Sequence, residues 1–112
     1  MESICFVMKI KPDKINDYIN IHRKGNVWQE ILENHKRAGV NKLKIYMLEN
    51  NAIAYMESED IEKSFEILGK QESQKKWNEV TAGFMDTQPN YDSNKVVQDL
   101  PCIFNYENGK QI

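Results

Sequence analysis

The sequence predicts an α+β fold with strands and helices in the order β-α-β-β-α-β, and three observations carry that expectation. The opening run alternates, with Ile4, Phe6, Met8 and Ile10 on one face and Cys5, Val7, Lys9 and Lys11 on the other, which is the period of a half-covered strand. Two further alternating runs, KLKIYML and AIAYMES, flank a short polar turn and read as a hairpin. Between and after these strands, apolar residues recur three and four positions apart, the period of a helix packed on one face.

Pro12 ends the first strand, and Asp13 stands where a helix N-cap belongs. Ile15, Tyr18, Ile19 and His22 then form one helical stripe, which Gly25 and Asn26 interrupt. A second helical segment carries Trp28, Ile31, Leu32 and His35 and runs to Gly39 as its C-cap. In the hairpin, Leu43, Ile45 and Met47 share one face and Lys44, Tyr46 and Leu48 the other, with Asn50-Asn51 expected at the turn. A second pair of helical stripes follows, Ile61, Phe65 and Leu68 up to Gly69, then Trp77, Val80, Thr81 and Phe84. From Thr87 to Asp99 the chain is polar, as a loop or arm would be, and LPCIFNY offers a last strand that Pro101 assigns to a sheet edge. This order is that of a ferredoxin-like sandwich, an antiparallel sheet with helices on one face. The other sheet face, expected to carry Cys5, Val7, Tyr46, Leu48, Ala54 and Met56, is too apolar to stay wet, so a second copy or a ligand should cover it; packing of two sheets face to face gives a homodimer.

At 112 residues, 40% hydrophobic and 29% charged, the chain suits one domain spanning 1–112, with 87–112 as a C-terminal arm and edge strand. Fifteen basic and seventeen acidic residues are interspersed, so the basic stripe that nucleic acid requires is missing. Cys5 and Cys102 lie at opposite ends without a CxxC spacing and are expected as buried free thiols. MESICFVMKIKPD has neither a basic start nor an apolar run long enough for a signal or membrane span, which suggests a cytoplasmic protein. His22 and His35 lack an i, i+4 partner, and no metal site is expected.

Several short motifs, taken together and in order, resemble the L-rhamnose mutarotase family. They are CFVMKIKPD, Tyr18 followed by His22, WQEIL from Trp28, Gly39, KIYML, AYMESED, Trp77 with Met85 downstream, and Ile103-Phe104. The resemblance implies the dimeric α+β barrel type of fold and an isomerase that interconverts the α and β anomers of a 6-deoxy hexose, L-rhamnose or a relative such as L-fucose. It implies a small-molecule sugar as partner, no cofactor, and His22 as the acid. The chain departs from the family pattern in three places. RKGNV lengthens the link after the histidine and Gln29 replaces an expected proline; Leu43 replaces a tyrosine; Lys76-Trp77 replaces a Trp-Trp pair. The implied reaction therefore transfers more securely than the implied sugar.

The chemistry needs little apparatus. Ring opening requires a proton at the ring oxygen and loss of one from the anomeric hydroxyl, and an imidazole can do either near neutral pH. From spacing alone, a lone histidine on an apolar helical face such as His22 is more often a buried, hydrogen-bonded core residue than a catalytic one; the family resemblance is what favours the catalytic role. Tyr18, Tyr46, Trp77, Trp28 and Lys76 are candidate sugar-binding residues, each with a plainer alternative: core filling for the aromatics, solvation for Lys76. His35 stands in the last turn before Gly39, where a cation suits the helix dipole and needs no other role. The acidic group Glu57, Glu59, Asp60 and Glu62 fits a strand end and helix start. Two other classes keep the fold and drop this reaction: a ligand-binding module, and a cofactor-free monooxygenase.

Overall fold

The computed structural model describes residues 1–86 and 97–112. Strand β1 (Glu2–Lys9) leads through a 3₁₀ turn (Pro12–Lys14) into helices α1 (Ile15–Ile21) and α2 (Gln29–Arg37). Strands β2 (Val40–Leu48) and β3 (Asn51–Ser58) follow, then α3 (Ile61–Gly69), α4 (Glu72–Ala82) and β4 (Val97–Asp99). A small hairpin, β5 (Tyr106–Glu107) and β6 (Lys110–Gln111), ends the chain. The main sheet is antiparallel with strand order β2-β3-β1-β4. This is the ferredoxin-like arrangement expected from the periodicities.

The register fixes both faces. Phe6 and Ile45 flank Ala54, while Met8 and Met47 flank Ala52, and all lie on the face that the helices cover. Ala52, Ala54, Met56 and Ser58 of β3 are buried, whereas Asn51, Ile53, Tyr55 and Glu57 are half-buried on the opposite face. Ala54 and Met56 therefore do not belong to the uncovered face, contrary to expectation. Cross-strand pairing gives the reason: Leu48 pairs with Asn51, so the loop is Glu49-Asn50, one residue earlier than expected, and Ala54 lies opposite Ile45 and Met56 opposite Leu43, partners that share the covered face. Glu49 takes the left-handed conformation, at φ 55°, and Asn50 anchors the turn to the end of β1. Its side-chain amide donates to the Ile10 carbonyl at 3.1 Å, and its own carbonyl accepts from the Ile10 N–H at 2.8 Å.

Other local expectations also shift. Pro12, with its φ already fixed for a helical turn, starts a 3₁₀ turn that includes Asp13, so Asp13 is not an N-cap; α1 begins after Lys14 without a side-chain cap. Gly39, at φ 80°, follows the C-cap Ala38 and turns the chain into β2. Phe65 and Val80 are exposed rather than core, and Ser64 and Gln74 occupy the buried faces of α3 and α4 with Leu68 and Trp77. The last strand lies upstream of LPCIFNY: β4 pairs with Phe6–Met8, and Pro101, which has no N–H, cannot extend that ladder. Asn108-Gly109, both with positive φ, close the terminal hairpin. Cys102 is exposed, with its thiol donating to the Phe104 carbonyl, because the segment that carries it packs on no core. Most of the expected polar arm, residues 87–96, lies outside the described residues.

The core joins Met8, Ile10, Tyr18, Ala52, Ala54 and Met85, with Phe6, Ile15, Ile45, Met47 and Phe84 against it. Ile10, fully buried, bridges to Met85 and so ties the end of α4 to the end of β1. A second anchor is polar. The buried Ser64 hydroxyl donates to the Ala38 carbonyl at 2.7 Å, which leaves its oxygen to accept from Ser58, whose own oxygen accepts the Asp60 N–H. This chain links α2, β3 and α3. Ser64→Ala strands the Ser58 hydroxyl and the Ala38 carbonyl, so urea unfolding should report a loss of about 1–3 kcal/mol; an unchanged midpoint would show that the chain carries no stability.

Candidate active site

A cleft of about 660 Å³ opens between the helices and the sheet. Phe6, Met8, Leu43, Ile45 and Ala54 form its floor, His22, Ile31 and His35 come from the split helix, and Gln74, Trp77, Asn78 and Thr81 come from α4. Ala54 in the middle of β3 lies on this floor, and its small side chain leaves room where a larger one would meet the helices. On α4 the spacing 74, 77, 78, 81 puts those four residues on one face.

His22 is the C-cap of α1, half-buried on the cleft wall. Its Nδ1 lies 2.7 Å from the Tyr18 carbonyl. A carbonyl only accepts, so Nδ1 carries the hydrogen and Nε2 is the nitrogen left to exchange a proton. The imidazole sits between two aromatic rings, with Tyr18 at 4.5 Å and Trp77 edge-on at 5.7 Å. Trp28 meets Trp77 edge to face at 5.1 Å. These contacts fix the ring plane and leave little freedom for the histidine to leave the cleft.

Of the candidate residues, the fold brings together His22, Tyr18 and Trp77, with Trp28 behind Trp77. It does not bring Lys76, which lies one position round the helix, is exposed, and borders a shallow outer depression with Trp28, Glu30 and Glu72. Nor does it bring Tyr46, which alternation in β2 turns to the uncovered face, where it is 58% exposed. Leu43 lies on the cleft floor. Polar residues beyond the candidates also line the cleft, Gln74, Asn78 and His35 among them. The helical spacing with Trp77 could have flagged Gln74 and Asn78; His35 was read only as a helix-end cation. It does stand in the last turn of α2, but its ring also reaches the cleft, and its Nδ1 donates to the Ile31 carbonyl at 2.7 Å. Among the described residues no group of three potential metal ligands occurs, and no helix is long and apolar enough to cross a membrane.

A family model described as L-rhamnose mutarotase matches residues 3–106. The chain belongs to the L-rhamnose mutarotase family. Among solved structures it is similar to an L-rhamnose mutarotase from Formosa agariphila, at 26% identity and a TM-score of 0.75, over 96% of this chain and 100% of that one. It also shares its fold with the tetracenomycin F2 cyclase of Streptomyces glaucescens, a type-II polyketide cyclase, at 13% identity and a TM-score of 0.59 over 96% and 98% of the two chains. No curated protein sequence matches significantly. Family and fold together support a sugar mutarotase, an isomerase acting on carbohydrates.

Within this mutarotase-family cleft, Tyr18 is 3% exposed, and burial pushes its phenol up to about 12. Tyr18 is thus a neutral hydroxyl at any working pH. The raised value also sets an alkaline signature. The unfolded chain releases this proton near 10 and the folded one near 12, so the stability linked to Tyr18 is complete below pH 10 and is lost as pH rises toward 12. Denaturant midpoints measured across pH 9–12 should fall less steeply for Tyr18→Phe than for the parent; parallel curves would show that the phenol titrates alike in both states.

Proposed function

We propose that the protein catalyses the interconversion of the α and β anomers of a 6-deoxy hexose, L-rhamnose or a close relative, with His22 as the proton donor to the ring oxygen. The observation that carries this reading is the His22 imidazole itself, bound at Nδ1 by a backbone carbonyl and held on the cleft wall against Trp77. The protonated Nε2 delivers its proton to the ring oxygen as the bond from that oxygen to the anomeric carbon breaks. The anomeric hydroxyl gives up its own proton to a base in the same step; rotation about the bond to the neighbouring carbon then presents the other carbonyl face, and closure returns one proton to Nε2 and one to the carbonyl oxygen. An apolar floor suits the methyl-bearing side of a deoxy sugar, and an aromatic face such as that of Trp77 suits its C–H groups.

The sugar preference turns on Leu43. Family resemblance places a tyrosine there, and Leu43 lies on the cleft floor, so the lost aromatic contact, worth about 0.5–1.5 kcal/mol, falls within the site. Lys76 points outward, and its substitution for an aromatic matters less. L-fucose should therefore compete well with L-rhamnose. Saturation-transfer NMR of anomer exchange with both sugars tests the reading. The parent should accelerate exchange, and His22→Asn should lower the rate about a hundredfold or more with a modest change in thermal stability. A variant that unfolds early yet exchanges sugar at the parent rate would return His22 to the core.

The same reading includes a homodimer formed through the uncovered sheet face. Cys5, Val7, Ile53 and Tyr55 are half-buried there and Tyr46 and Leu48 exposed, an apolar surface that no element among the described residues covers. Sedimentation at micromolar concentration should show twice the 13.2 kDa chain mass; a species of 13.2 kDa alone would remove the dimer.

A further inference from the structure

We propose that His35 is the second proton-transfer group of this cleft, accepting the proton of the anomeric hydroxyl while His22 delivers one to the ring oxygen. The inference rests on the mutarotase reading above and adds the base that the reaction needs.

The two histidines are held in the same way. Each donates from Nδ1 to the carbonyl four residues earlier, Tyr18 for His22 and Ile31 for His35, both at 2.7 Å. Each therefore keeps Nε2 as its working nitrogen. Each is half-buried, and both rings line one cleft from the two halves of the split helix. The other titratable groups on the walls suit the task less well. From α1 comes Tyr18, a phenol that burial keeps protonated. From α2 itself comes Lys36, and from β2 comes Lys42, whose ammonium pairs with Glu57 of β3 at 3.7 Å. From α4 come only the neutral Gln74, Asn78 and Thr81 with Trp77, and from β1 and β3 only apolar residues. Among the described residues lining the cleft, His22 and His35 are the two side chains suited to exchange protons near neutral pH.

The cycle balances. Neutral His35 takes the hydrogen of the anomeric hydroxyl as protonated His22 gives its own to the ring oxygen; the ring carbon–oxygen bond breaks and the carbonyl forms. After rotation, the released hydroxyl attacks the other face, returning its hydrogen to His22 while His35 returns one to the carbonyl oxygen. Both histidines end as they began.

The test compares steady-state anomer exchange of L-rhamnose and L-fucose by the parent, His22→Asn, His35→Gln and His35→Leu across pH 5–9, with thermal unfolding of each. His35→Leu keeps a good helix former at the position, so one folded His35 variant is secured if the glutamine is not tolerated. For the parent, kcat should fall at low pH as the base is protonated and at high pH as the acid is lost. Both His35 variants should lose about a hundredfold in kcat with little change in KM, and the fall at low pH should vanish while that at high pH remains. Free imidazole should restore part of the rate of His35→Gln. If His35→Gln or His35→Leu keeps the parent kcat and both limbs while His22→Asn is impaired, this inference fails and the mutarotase reading stands. If the parent does not accelerate exchange of either sugar, both fail.

Discussion

The cleft depends on the break between α1 and α2. A helix running unbroken from Ile15 to Arg37 would turn about 100° per residue, so His22 and His35 would stand about 220° apart, on nearly opposite sides. Helix α1 ends at Ile21 with His22 as its C-cap, and Gly25, at φ 95°, takes a left-handed conformation that no continuing helix contains. Asn26 then locks the departure: its N–H donates to the Arg23 carbonyl at 2.9 Å and its side-chain amide to the Asn20 carbonyl at 2.7 Å. Helix α2 restarts with Trp28 as its N-cap residue and Gln29 at its first position. Its axis is thereby freed to lay Ile31 and His35 along the same hollow that His22 reaches from the end of α1.

Packing then fixes what the break makes possible. Trp28 and Trp77 meet edge to face, and Asn34 donates to Ser73 at 2.9 Å, so α2 and α4 are joined by aromatic contact at one end and a hydrogen bond at the other. Trp77 also touches His22, which makes one side chain of α4 the common wall of both halves of the split helix. Ala54 in β3 keeps the floor clear. The buried serines and Ala38 hold the far end of α2 to β3 and α3, away from the chemistry. The site is thus surrounded by fixed contacts, while among the described residues no backbone hydrogen bond occupies the Nε2 of His22 or of His35.

Much of this was legible in the residues. Alternation in β1 and β2 correctly separated Phe6 and Met8 from Cys5 and Val7, and Leu43 and Ile45 from Tyr46 and Leu48, because a pleated strand allows only two directions. The stripe through Tyr18 and His22 placed both on the inward face of α1 for the same kind of reason. β3 was harder. Its residues AIAYMES are apolar on both faces, so alternation within the segment does not say which set is covered; pairing of Ala54 with Ile45 and of Met56 with Leu43 decides it. The last strand was misplaced because a three-residue edge strand is too short to show a period, while Asn108-Gly109, a strong hairpin signal, lay beyond the segment read as strand.

By itself the sequence determined the element order, the antiparallel sheet, the family, and the inward direction of His22, since each follows from local spacing or from motifs read in order. Tertiary structure alone decided which distant residues share the cleft. Tyr46 and Lys76 fell outside it because alternation in a strand and the turn of a helix aim each of them away from the shared wall, a wall that exists only once sheet and helices are stacked. His35 came within it because the direction of α2 is set by the torsion at Gly25 and by the contacts of Trp28 and Asn34 with α4, none of which periodicity within one segment contains.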